Sequence, residues 1–274
     1  MGGRLKPILN LAVVGGAWSG KSTLIGRLLC ELGAVGGRLV RRMASLASEL
    51  GHPGSGYAFI VDKGLEERRA GHTISMSSQR PLDLGPVRVK LLNLPGLLTY
   101  MRNAVPGLSQ ADALLLVLDA SRGISDQLSG LREHLALAMA FGVEEAVVAV
   151  NKMDLVDYDR GAYDKAVGEL EGLLEGLGYE LEATYVPTSA LRGDNLVEPG
   201  RVGWYDGPPL LEALKAIGPP DRPLDKPLRL PIHRYYGAAK AAAGVVRSGK
   251  LEVGSEVLVL PSGARGAVES LMSW

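Results

Sequence analysis

Cysteine is nearly missing from this sequence, with Cys30 the single instance in 274 residues. That excludes an internal disulfide and any cysteine-cage zinc site, and it fits a reducing compartment. Net charge is missing too: thirty basic and thirty acidic side chains cancel. No whole-molecule field therefore draws the chain onto nucleic acid or an anionic membrane, and any such partner must meet a local patch. One basic cluster, Arg38, Arg41 and Arg42, reads as a solvated helix face. No apolar run approaches the roughly 20 residues that cross a bilayer. The opening "MGGRLKP" has no apolar signal region, and Lys6 stands where a myristoylation signal needs Ser or Thr. A cytoplasmic location without a membrane partner is the resulting expectation.

What is present is a chain 46% apolar and 22% charged, enough for one α/β domain with its own core and a smaller companion. Near-continuous apolar runs at 10–16, 87–93, 113–120, 146–152 and 183–190 read as strands buried on both faces of a parallel sheet. Helical patterns over 20–33, 97–108, 126–141, 160–177 and 208–217 alternate with them, predicting a doubly wound, mostly parallel sheet. Cys30 falls among Leu24, Leu28, Leu29 and Leu32 and reads as a small core residue. The proline-rich stretch 218–227 reads as a stiff linker. Beyond it, short glycine-broken runs predict antiparallel strands over 228–274, too few residues for a whole barrel. The expected domains are thus 1–217, a linker at 218–227, and an incomplete β-barrel at 228–274.

Two motifs carry chemistry. "GGAWSGKST" (15–23) follows the first strand and opens the first helix, with Gly15, Gly20, Lys21 and Ser22 in G-x-x-x-x-G-K-[ST] order and Ser19 and Thr23 within the same turn. Backbone N–H groups curl around phosphates there, Lys21 reaches the β and γ phosphates, and Ser22 offers a hydroxyl to Mg²⁺. "NKMD" (151–154) closes a later strand. Asp154 can accept two hydrogen bonds from guanine N1 and the exocyclic amine, which adenine cannot supply, and "TSAL" (188–191) follows on the next strand.

These segments, with "FIVDKGLEERRAGHTIS", "VPTSALRGDN" and "WYDGPPLLEAL", resemble the translational GTPase family, in its elongation factor 1-alpha branch. The GTPase subunit of ATP sulfurylase is also similar, through "NKMDLVDYD" and "VLPSG". The resemblance spans residues 8–274, covering a P-loop GTPase domain and half of a second, β-barrel domain. It implies GTP or GDP with Mg²⁺ as cofactors, and ribosome or tRNA as partners. Gly20, Lys21, Ser22 and Thr23 match the phosphate loop. Thr73 matches the first-switch threonine that holds Mg²⁺ beside Ser22, and Gly96 the second-switch glycine facing the γ-phosphate. Asn151, Lys152 and Asp154 match the guanine readers, backed by Ser189, Ala190 and Leu191.

Three positions depart from the family pattern. The second switch, "LLNLPGLLTY" (91–100), has Asn93 where the family has an aspartate and Leu97 where it has the water-positioning histidine, so no catalytic residue is assigned. Trp18 replaces an acid of the phosphate loop. Loss of a comparable electrostatic or acid–base group costs roughly 10²–10⁴-fold in rate. The expectation is a guanine-nucleotide binder whose hydrolysis is weak or partner-dependent. Two alternatives are a nucleotide-gated binding module and the ATP sulfurylase subunit. His72 is the one histidine near the proposed switch, and His134 reads as a packing residue. An incomplete barrel also implies a protein partner or self-association over its strand edges.

Overall fold

The computed structural model describes residues 6–220 and 222–272. The ends of the two expected domains, 1–5 and 273–274, and Asp221 of the expected linker lie outside them. The Cα trace divides into two compact units between Pro219 and Pro220.

The first unit is a seven-stranded sheet wrapped by helices. Its strands are β1 (Ile8–Val14), β2 (Ser77–Ser78), β3 (Leu82–Asp83), β4 (Arg88–Asn93), β5 (Ala113–Asp119), β6 (Glu145–Asn151) and β7 (Glu182–Pro187). The order is β2-β4-β1-β5-β6-β7, with β3 also on β4. β4, β1, β5, β6 and β7 run parallel, while β2 and β3 pair antiparallel with β4. Successive strand residues face opposite sides of a sheet, and here both sides are apolar. Leu11, Val13, Leu115, Val117 and Val147 enter one core. Ala12, Val14, Leu114, Leu116 and Val148 enter the other.

The helices are α1 (Lys21–Glu31), α2 (Gly37–Glu49), α3 (Ala58–Val61), α4 (Leu65–Ala70), α5 (Val105–Leu108), α6 (Leu128–Ala140), α7 (Arg160–Leu177) and α8 (Leu210–Ala216). α1 forms because Leu24, Ile25, Leu28 and Leu29 recur at helical spacing and bury one stripe in the first core. Cys30 packs against that core, half-buried. α7 starts at Asp159, whose side chain accepts from the Ala162 N–H (2.8 Å), and stops at Gly178 in the left-handed region.

Between α1 and β2 the structure places three helices; the first carries the solvated helix face expected at Arg38, Arg41 and Arg42, and the other two were not foreseen. Arg38, Arg41 and Arg42 are exposed on α2, whose Met43 and Ala47 are buried. The single helix expected over 97–108 is instead a 3₁₀ turn, Leu98–Asn103, followed by α5. Pro106 has no N–H to donate and is tolerated only in the first turn of a helix, so a new helix starts beside it.

The second unit holds two antiparallel hairpins. β8 (Ile232–Tyr236) pairs with β9 (Ala241–Gly244), and β10 (Glu256–Val259) pairs with β11 (Ala264–Ala267). Among the described residues no ladder joins one hairpin to the other. No helix among the described residues is long and apolar enough to cross a membrane.

Candidate functional site

β1, β4, β5, β6 and β7 end on one edge of the sheet, and β1 lies where the strand order reverses. Ligands of open α/β sheets bind at that edge. The loop after β1 runs from Gly15 into α1. Gly20 has φ +100°, and a Cβ there would run into the Asn151 amide, so only glycine fits. Lys21 is buried, and its ammonium donates to the Gly15 and Gly16 carbonyls (3.1 and 2.7 Å). Burial lowers its pKa to about 8 against the opposing pull of Asp62. The N–H groups of a helix start and a desolvated ammonium are suited to an anion.

Asn151, at the end of β6, bridges two loops. Its Nδ2 donates to the Ser19 carbonyl (2.9 Å), and its Oδ1 accepts from the Ala190 N–H (2.9 Å). Lys152, in the left-handed region, donates to the fully buried Asp119 (2.6 Å). Asp154 accepts from the Ser189 hydroxyl (2.7 Å), which fixes one carboxylate oxygen. Ser189 and Ala190 are buried, while Leu191 is exposed and its carbonyl accepts from Arg27 (3.0 Å). Thr23 is half-buried on α1.

Four further residues meet beside Lys21. Asn93 ends β4, Ser22 begins α1, Asp62 follows α3 and Thr73 follows α4, and all four are buried. The Asn93 Nδ2 donates to Ser22 Oγ (3.1 Å) and Asp62 Oδ1 (3.2 Å), with Thr73 Oγ1 at 3.4 Å. Thr73 donates to Asp62 Oδ1 (3.0 Å), and the Ser22 and Thr73 hydroxyls are 3.1 Å apart. Burial pushes the Asp62 carboxyl up, while hydrogen bonds from Ser22 and Thr73 pull it down. Sequence reasoning passed over Asp62. It lies 40 residues from Ser22 within "FIVDKG", and only the fold brings it in.

Hard oxygen donors of this kind suit Mg²⁺, which binds through hydroxyls, one or two carboxylates and phosphate. The two hydroxyls and Asp62 fit such an ion. The NH₂ of Asn93, aimed at those same oxygens, does not. Among the described residues no group of three or more His, Cys, Asp or Glu is placed to hold a metal.

Gly96 is buried against the phosphate loop: a Cβ on it would lie 2.5 Å from Lys21 Nζ and 2.8 Å from the Gly16 carbonyl. That packing brings the second-switch loop onto the same ammonium. His72 stacks on Tyr100 (centroids 5.7 Å apart) and meets the edge of Trp18 (6.5 Å). Trp18 itself is 59% exposed. His134, on α6, is fully buried, and burial, helped by the Lys21 charge, lowers its pKa to about 3, which holds it neutral. It packs, as its sequence position suggested.

Residues 6–220 match the family model described as the elongation factor Tu GTP binding domain. The chain belongs to that family. Within these translational GTPases it is 41% identical over 276 residues to elongation factor 1-alpha of Pyrobaculum islandicum and 42% identical over 275 residues to that of Caldivirga maquilingensis. Each match covers 97% of this chain and 62% of the relative, so the chain spans less than two thirds of their length. Among solved structures, the GTPase-like domain of Ski7 from S. cerevisiae, bound to GTP, shares the fold with a TM-score of 0.67 at 21% identity. That match covers 92% of this chain and 60% of the other.

Proposed function

We propose that this translational GTPase binds GDP and GTP at the edge formed by β1, β4, β6 and β7, and hydrolyses GTP feebly on its own. The observation that carries the reading is Asn151, whose one amide ties the phosphate loop at Ser19 to the "TSAL" loop at Ala190. A phosphate reader and a purine reader are thereby held at one spacing. In this reading Gly15, Ser19, Gly20, Lys21, Ser22 and Thr23 embrace the phosphates, and Gly96 faces the terminal one. Asp154, oriented by Ser189, selects guanine, with Lys152, Ala190 and Leu191 walling the base. Ser22 and Thr73 are the two hydroxyls expected to hold Mg²⁺, and the Asn93 NH₂ aimed at both does not fit that ion.

Phosphoryl transfer in this class is mostly positioning and charge stabilisation. Leu97 can exclude a water but cannot orient one. Partner-stimulated turnover, or none, follows. Ribosome and tRNA are the partners suggested by the elongation factor relatives. Residues 1–217 would serve as the G domain, 218–227 as linker and 228–274 as part of a β-barrel whose edges take a protein partner or a second copy. Leu97 and Asn93 also favour a second reading, in which nucleotide is held and the switch segments only present a surface.

Calorimetric titration with GDP, GTP and ATP, followed by single-turnover hydrolysis, tests the proposal. Guanine binding without adenine binding, and turnover that rises in the double variant Leu97→His, Asn93→Asp, is the expected result. Indifference to GDP at millimolar concentration, or a preference for ATP, overturns it.

A further inference from the structure

We infer that the Asn93 side-chain amide takes the place of a divalent cation in this site, so that guanine nucleotide binds without Mg²⁺. The inference rests on the nucleotide reading above and concerns what completes that site.

The direction of each hydrogen bond follows from the groups present. The Asp62 carboxylate can only accept, so the Asn93 atom 3.2 Å from its Oδ1 is the NH₂ and not the carbonyl oxygen, which it would repel. Thr73 donates to Asp62, the Ser22 hydroxyl faces both the Thr73 oxygen and the Asp62 carboxylate, and the Ser22 oxygen accepts from Asn93. A closed ring results: Asn93 to Ser22 and to Asp62, Thr73 to Asp62, and Ser22 to one of the two acceptors it faces. The Ser22 and Thr73 hydroxyl oxygens and Asp62 Oδ1 are already held to one another by hydrogen bonds, and Asn93 is the one member that donates twice.

Charge points the same way. Divalent-cation affinity scales with the number of charged ligands. Here one carboxylate joins the hydrogen-bonded ring, and the charges beside it are Glu67, whose oxygens accept from the Gly64, Ile74 and Ser75 N–H groups, and the Lys21 ammonium. The Asn93 Oδ1 is buried without a hydrogen-bond partner, turned away from the ring. Turning it inward, as a cation would require, sets it against Asp62. The ring links α1, β4 and the segments after α3 and α4. It thus performs the cross-linking of phosphate loop to both switch segments that a metal otherwise performs, using a neutral donor.

The test is calorimetric titration of the whole chain with GDP and with GTP, in excess Mg²⁺ and in EDTA. The expected result is a dissociation constant that changes by less than about threefold between the two buffers. A loss of about tenfold or more in EDTA overturns the inference while leaving the nucleotide reading intact. Absence of guanine-nucleotide binding in both buffers overturns both. Asn93→Asp places a second carboxylate against Asp62 and is expected to acquire the Mg²⁺ dependence that the parent lacks. The parent isotherms decide the question alone should that variant fail to fold.

Discussion

At the residue scale, Lys21 sets a pH limit on the site. Burial has lowered its pKa to about 8, so the free protein loses the ammonium as pH rises through that value, while bound phosphate keeps it charged. By linkage, GDP affinity should be flat below pH 7 and fall about tenfold per unit above pH 8. Titrations between pH 6.5 and 9.5 check the slope. Replacement of Asp154 is a second probe. Asp154→Ala removes two charge-assisted hydrogen bonds to the base, each worth about 1.5–3 kcal/mol, and should weaken GDP by at least about a hundredfold while leaving inorganic pyrophosphate binding unchanged. Lys21 and Asp154 were legible in the sequence because their chemistry requires neighbours at fixed short spacing. Asp62 was not, because its three partners are 11 to 40 residues away and "VDKG" has no local signature. Asn93 was legible as a departure, but its donor role needed the three oxygens around it.

At the element scale, the strands could be read because a parallel sheet buried on both faces leaves uninterrupted apolar runs. β5 is the extreme case, with all seven residues buried. Leu115, one residue from its centre, should therefore tolerate truncation poorly. Leu115→Ala is expected to cost about 2–5 kcal/mol in urea unfolding, through lost burial plus the cavity left behind. α2 was legible only as a solvated basic helix face, for the opposite reason. It opens at Gly36 with no side-chain cap, buries only Met43 and Ala47, and exposes its arginines. Its signal was a thin stripe, Val40, Met43, Ala47 and Leu50 at helical spacing, set among polar residues. Pro106 was visible in the sequence, but an apolar period carried the expected helix straight across it.

At the scale of the whole molecule, the two units differ in how they hold themselves together. The first has two cores. The second keeps Ile232, Tyr235, Leu258 and Leu260 exposed on short hairpins, and two-stranded sheets are marginal without a covered face. The purified chain should accordingly associate with rising concentration, and the fragment 6–219 should not. Sedimentation velocity on both measures the difference, and a concentration-independent monomer for the whole chain refutes the expectation. Within the first unit, the Asn151 amide makes the sheet edge a ruler. Guanosine and pyrophosphate offered separately each gain only their own half of the contacts and each lose their own freedom of tumbling. Joined in one molecule they lose it once, so the intact nucleotide should bind more tightly than the product of its parts, and Asn151→Ala should shrink that advantage.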